Sequence, residues 1–147
     1  MHLENEFTVP VGIDEAWTML LDLQRVVPCF PGATLDSVDH ESFTGSVKMK
    51  LGSVSMVYKG SGIFTERDDE AKRVVIDAKG RESRGSGTAT ATVTTQLEPA
   101  GEGTRVKVVS DLKVTGKVAQ FGRGVMVDIT DKLLGQFADC IAKNLSS

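Results

Sequence analysis

The residue types that most often carry catalysis and metal ligation are scarce in this chain. It has only two histidines in 147 residues. His2 stands at the N-terminus and His40 in an acidic turn, neither with a cysteine or carboxylate at metal-ligand spacing, so no zinc site is expected. Two cysteines, Cys29 and Cys140, are too few for a disulfide framework and lack CxxC spacing. Cys140 reads as a small buried residue on a helix. Cys29 reads as a turn residue packing inward, with no base or cation placed to make it a thiolate. Basic residues are not in excess: the net charge is −3 and the pI near 5.4, against what non-specific nucleic-acid binding requires. Long apolar runs are missing too. The apolar, uncharged stretch from Val26 to Leu35 is about half the roughly 20 residues of a membrane helix and is broken by prolines. Nothing before Glu4 resembles a signal peptide. These absences point to a reduced, intracellular protein, and the length to one domain spanning residues 1–147.

What is present is period-two alternation. Leu3 to Val9 alternates apolar and polar as a half-buried strand does, and Pro10-Val-Gly12 stops it. Asp14 precedes Ala16-Trp17-Thr-Met-Leu-Leu21, a short helix, and Asp22 begins a second that Pro28 ends. A meander follows, with strands near Thr34–Val38, Ser42–Leu51, Val54–Glu66, Arg73–Gly80, Gly87–Leu97 and Thr104–Thr115. The turn between the last two spans Glu98 to Gly103. From about Ala119 to Leu145 the period becomes helical, with Phe121, Val125, Ile129, Leu133, Phe137 and Ile141 four apart. The fold class is α+β. A curved seven-stranded antiparallel sheet grips a long C-terminal helix, with two short helices after the first strand.

The inward register of that sheet is rich in small residues: Gly45, Gly60, Gly62, Ala78, Gly80, Ala89, Ala91 and Ser110. Small residues facing a helix either let it pack close or leave a space. So many together, with aromatics at only 5 %, favour a space walled by aliphatic, methionine and phenylalanine side chains. The candidate wall residues are Leu20, Leu23, Val27, Phe30, Met49, Met56, Tyr58, Ala91, Phe121, Val125, Ile129 and Leu133. Inward polar groups reduce to Tyr58, Ser110 and Thr95, with Tyr58 able to donate one hydrogen bond to a ligand carbonyl. Gly85-Ser-Gly87 and Gly122-Arg-Gly124 lack the lysine and flanks of a phosphate loop. No catalytic constellation and no metal site is expected.

Charge is sorted along the strand axis. Consecutive hairpins alternate between the two ends of a meander. One end therefore collects Asp39, Glu41, Glu66, Asp68, Asp69, Glu70, Glu98 and Glu102. The other collects Lys50, Lys79, Arg81, Arg84, Lys113, Lys117 and Arg123, with Glu82 the exception. A slightly acidic chain thus carries one basic end, and Lys50, Arg81, Arg84, Lys117 and Arg123 are the candidates for docking to an anionic membrane or acidic protein.

Several motifs carry a family likeness: Phe7-Thr-Val-Pro10, Ala16-Trp17, Leu21-Asp22 and Val27-Pro-Cys-Phe-Pro-Gly32, then Gly45-Ser-Val-Lys-Met-Lys-Leu-Gly52, Tyr58-Lys-Gly60 and Thr115-Gly-Lys-Val-Ala-Gln-Phe-Gly122. Through them nearly the whole chain resembles the carbon monoxide dehydrogenase CoxG family of the START/Bet v1-like (SRPBCC) helix-grip superfamily. The resemblance implies an apolar cavity and an accessory role to a carbon monoxide dehydrogenase-type molybdenum hydroxylase. It also implies a cytoplasmic protein at the inner face of the membrane. Members often continue past the helix into a flexible tail credited with membrane attachment; this sequence reaches Asn144-Leu-Ser-Ser147 directly after the helix, so no anchoring is assigned to a tail. Cavity and resemblance together suggest a bound quinone (menaquinone or ubiquinone) or lipid, with no covalent cofactor, carried between membrane and enzyme. The alternatives are an adaptor or assembly factor without a ligand, and a cyclase- or hydrolase-like enzyme.

Overall fold

The computed structural model describes residues 1–145. Strand β1 (His2–Val9) leads into helices α1 (Ile13–Leu21) and α2 (Leu23–Val26) and a 3₁₀ turn over Val27–Cys29. Six strands follow: β2 (Ala33–Asp39), β3 (Ser42–Leu51), β4 (Val54–Asp68), β5 (Arg73–Glu82), β6 (Thr88–Ala100) and β7 (Gly103–Val114). A second 3₁₀ turn, Lys117–Gln120, precedes α3 (Gly122–Leu145). The sheet order is β1-β7-β6-β5-β4-β3-β2, every pair antiparallel. Chain neighbours β1 and β2 are thus the two edges, and α1 and α2 must span from one to the other. This is the helix-grip architecture expected from the alternation. No helix among the described residues is long and apolar enough to cross a membrane.

Hairpin boundaries follow the turn chemistry to within a few residues: β4 runs on from the expected Glu66 to Asp68, and β5 from Gly80 to Glu82. The β6–β7 connection, expected to occupy Glu98 to Gly103, contracts to Gly101-Glu102, because Pro99 pairs with Thr104 and Ala100 with Gly103. Proline lacks a donor but keeps its carbonyl, so it is tolerated at a strand end. Gly101 has φ +60°, a conformation that glycine adopts freely.

The buried side chains form two clusters instead of one. The larger joins Val9, Ala16, Trp17, Met19, Val26, Val74, Leu97, Val106 and Ile141, from β1, the short helices, the sheet and the later part of α3. The smaller joins Leu51, Met56, Tyr58, Val118 and Met126 near the start of α3. Most domains bury one contiguous core; here something else lies between the halves.

Two sequence expectations change. Cys29 and Cys140 are not separate thiols: they form a disulfide, with Cα atoms 5.3 Å apart across 111 residues of sequence. Cysteine usage therefore does not mark a reducing compartment for this chain. The helix face also differs. A four-residue step overshoots a full turn by about 40°, so a row from Phe121 to Ile141 winds around α3 instead of staying on one face. Val125 is 41 % exposed, whereas Met126, Ala138 and Ile141 are buried.

Candidate ligand-binding cavity

The sheet leaves a space because strand register brings its smallest residues side by side. Gly45 pairs with Gly60, Gly60 with Gly80, and Gly80 with Ala89, a row across β3, β4, β5 and β6. The next inward row pairs Gly62 with Ala78 and Ala78 with Ala91. Larger side chains are excluded at three of these points, and at Gly45 a Cβ would collide with the Thr34 carbonyl. A Cβ on Gly60 would collide with the Lys79 carbonyl, and one on Gly62 would strike the Phe43 ring. A floor without side chains, facing a helix held off by the two flanking clusters, is a cavity.

Its volume is about 500 Å³, within the roughly 300–1,000 Å³ of small-molecule sites. One wall comes from α2 and the following turn through Leu23, Val26, Val27 and Phe30. Met126, Leu133 and Phe137 of α3 form the roof, and Val47, Met49, Tyr58, Leu112 and Val114 border the small-residue floor. The Phe30 and Phe137 rings meet edge to face, centroids 6.3 Å apart. The disulfide joins the turn bearing Phe30 to the helix bearing Phe137.

Of the twelve candidate wall residues, Leu23, Val27, Phe30, Met49, Tyr58, Ala91 and Leu133 border the cavity. The other five do not. Leu20 packs on the larger cluster, Met56 is buried within the smaller, Phe121 and Ile129 pack against it, and Val125 faces solvent. Met126 and Val118 take their places on the wall. Counting seven back from Leu133, a closer match to two helical turns than two steps of four, finds Met126.

Among the described residues, one side chain of the wall, Tyr58, carries a buried polar atom without a partner. Tyr58 is 9 % exposed, and its hydroxyl is buried with no hydrogen-bond partner. Ser110 and Thr95, the other inward candidates, do not border the space among the described residues. Across the strand pair from Tyr58 stands Glu82, 7 % exposed. Sequence parity placed it as an exception within a basic end; its carboxylate in fact lies beneath Gly85 and Gly87 of the β5–β6 hairpin. The Tyr58 phenol is pushed above its ordinary pKa, first by burial and second by the Glu82 charge, so it stays a proton donor.

The candidate docking residues gather as parity required. The Ser83 amide donates to the Val57 carbonyl, and the Thr88 amide to the Thr115 hydroxyl. These bonds bring the β5–β6 hairpin against β4 and the end of β7. Lys50, Arg81, Arg84 and Lys117 are exposed there without an ion pair among the described residues. Arg123 is committed elsewhere: its guanidinium donates to the His2 carbonyl at 2.8 Å, fastening the start of α3 to β1.

Solved structures share this architecture. A conserved protein from Geobacillus kaustophilus superposes with TM-score 0.87 at 19 % identity, over 99 % of this chain and 95 % of that one. The Zhui aromatase/cyclase from Streptomyces sp. R1128 gives TM-score 0.67 at 9 % identity, over 98 % and 92 %. Norcoclaurine synthase from Thalictrum flavum gives 0.67 at 19 % identity, over 100 % and 87 %. At these identities the likeness is one of fold, and it includes enzymes. No curated protein matches the sequence. A family model for CoxG, a subunit of carbon monoxide dehydrogenase, matches residues 6–146.

Proposed function

The chain belongs to the carbon monoxide dehydrogenase CoxG family, and on that premise we propose that it is a non-catalytic carrier of a respiratory quinone. In this reading it takes menaquinone or ubiquinone from the inner face of the cytoplasmic membrane and presents it to a carbon monoxide dehydrogenase-type molybdenum hydroxylase. The observation that carries the reading is the cavity of about 500 Å³, lined mostly by aliphatic, methionine and phenylalanine side chains. A quinone is a small polar ring on an isoprenoid chain, and moving that chain through water requires an enclosing apolar surface. Among the described residues that border the cavity, no pair of positioned acid–base or nucleophilic groups, which catalysis needs, is found. Lys50, Arg81, Arg84 and Lys117, which hold no ion pair among the described residues, support docking of the basic end to anionic headgroups or to an acidic enzyme surface.

The test is organic extraction of the purified protein and mass spectrometry of the extract, beside an Ala91→Trp variant. Ala91 borders the open floor, so an indole there fills the space instead of displacing packed neighbours. The expected result is stoichiometric quinone from the wild type and none from the folded variant. An empty extract, with added quinones also failing to bind, overturns the carrier reading and leaves an adaptor that acts by its surface alone.

A further inference from the structure

The outer face of the sheet gathers cations that the fold leaves without partners. Strand alternation turns Lys48 and Lys50 of β3, Lys59 of β4, Lys79 and Arg81 of β5 and Lys113 of β7 away from the cavity side. All are exposed, and none holds an ion pair among the described residues. Register then crowds them. Lys59 stands directly opposite Arg81, while Lys79 and Lys113 flank Thr90 from either side. Like charges directly opposite one another destabilise a sheet, so folding alone does not account for this placement. The neighbouring anions are treated otherwise. One outward row away, Asp77 accepts a hydrogen bond from the Thr92 hydroxyl at 2.9 Å, and Asp111 lies 2.9 Å from His2 Nδ1. A groove of about 780 Å³ is bordered by both rows, Lys79 and Lys113 on one and Asp77 and Asp111 on the other.

We propose that this face is a docking surface for an acidic segment of a partner protein. Lys50 and Arg81 belong also to the basic end, whereas Lys48, Lys59, Lys79 and Lys113 extend the positive charge over the back of the sheet. The inference goes beyond the carrier reading, because a partner held on the outer face leaves the cavity side free. Carboxylates spaced along an extended segment would meet the unpaired ammonium groups, with the Ser61 and Thr90 hydroxyls as hydrogen-bonding neighbours. A continuous anionic bilayer laid on this face would also meet Asp77 and Asp111. A nucleic acid would find no aromatic ring to stack on among the described residues that border the groove.

The test is fluorescence anisotropy of labelled deca-glutamate with wild type, Lys59→Glu/Lys113→Glu and Arg84→Glu/Lys117→Glu. The wild type should bind the peptide, more weakly as salt rises. The sheet-face variant should lose at least about ten-fold in affinity, and the variant of the basic end clearly less. The denaturation midpoint of the sheet-face variant should not fall, because Lys59→Glu sets opposite charges where Lys59 and Arg81 now repel. No binding by the wild type, or equal losses in the two variants, overturns the assignment of this face. Three further outcomes replace the occupant and so overturn the proposal. They are tighter binding of oligothymidylate than of deca-glutamate at matching charge, loss of phosphatidylserine vesicle binding in the sheet-face variant alone, and wild-type self-association that this variant abolishes. None of these outcomes bears on the cavity, whose occupant is read by extraction, since neither Lys59 nor Lys113 borders it.

Discussion

Asp69, in the β4–β5 turn, fixes that turn to α1. The indole N–H of Trp17 donates to its Oδ1 at 2.9 Å and the Arg67 Nε–H to the same oxygen at 3.0 Å. The Lys72 ammonium stands 5.9 Å over the Trp17 ring. The bond from Trp17 first, and that from Arg67 second, hold the carboxyl below its ordinary pKa. A carboxyl depressed in the folded state stabilises that state above its unfolded value, near 3.9, and loses the effect as pH falls through the folded value. Asp69→Asn should therefore be less stable than wild type at neutral pH, with the difference closing below about pH 4. Denaturant titrations at several pH values, followed by Trp17, the single tryptophan, read this directly. A difference constant from pH 7 to pH 2 would contradict the assignment. At this scale the sequence was informative where register alone decides, as at Gly60 and Ala91. It was silent where side-chain direction decides: residue parity put Glu82 among the charges of the basic end, but not its carboxylate under a hairpin.

Between elements, the strongest link is the Cys29–Cys140 disulfide. Closing 111 residues of sequence removes chain entropy from the unfolded state worth on the order of 4–5 kcal/mol, a large share of a typical stability of about 5–15 kcal/mol. The turn it anchors follows α2, so the cavity-wall residues on both sides of Cys29, with Leu23, Val26 and Val27 before it and Phe30 after it, are tied to α3. Reduction, or Cys140→Ala, is expected to lower the denaturation free energy by several kcal/mol and to speed loss of a bound ligand. Denaturant midpoints with and without reductant provide the check, and identical midpoints would exclude a structural role. Strand limits were legible because alternation and turn residues are local signals; β3 runs over Ser42–Leu51 as its pattern requires. The disulfide was not, since two cysteines give a spacing along the chain and no distance in space. The face of α3 was misjudged for another reason. Equal steps of four look regular in a sequence, yet they drift on a helix of 3.6 residues per turn.

Across the whole molecule, charge divides along the strand axis, and the two ends treat their charges differently. Towards the acidic end, Arg67 pairs with Asp69, Arg73 with Glu66, and Arg105 and Lys107 with Glu98, so much of that charge is neutralised internally. The opposite end leaves Lys50, Arg81, Arg84 and Lys117 unpaired among the described residues. A fold stabilised by mutual attraction alone would not collect like charges there, which is the physical case for an anionic partner. Parity in a meander makes this polarity readable from the order of residues, although it could not foresee that Arg123 is spent on the His2 carbonyl. Arg84 and Lys117 are better probes, because their exposed side chains hold no ion pair among the described residues. Reversing both to glutamate should weaken binding to phosphatidylserine vesicles by on the order of 2 kcal/mol, about thirty-fold, at about 1 kcal/mol per basic residue lost. Quinone content should be unchanged, because neither residue borders the cavity. Sedimentation with vesicles at low and high salt separates the electrostatic part, which salt must suppress. Wild-type binding that is salt-insensitive and survives both reversals would remove the basic end from membrane docking. If vesicle binding persisted while binding to the dehydrogenase was lost, the same end would be assigned to the enzyme.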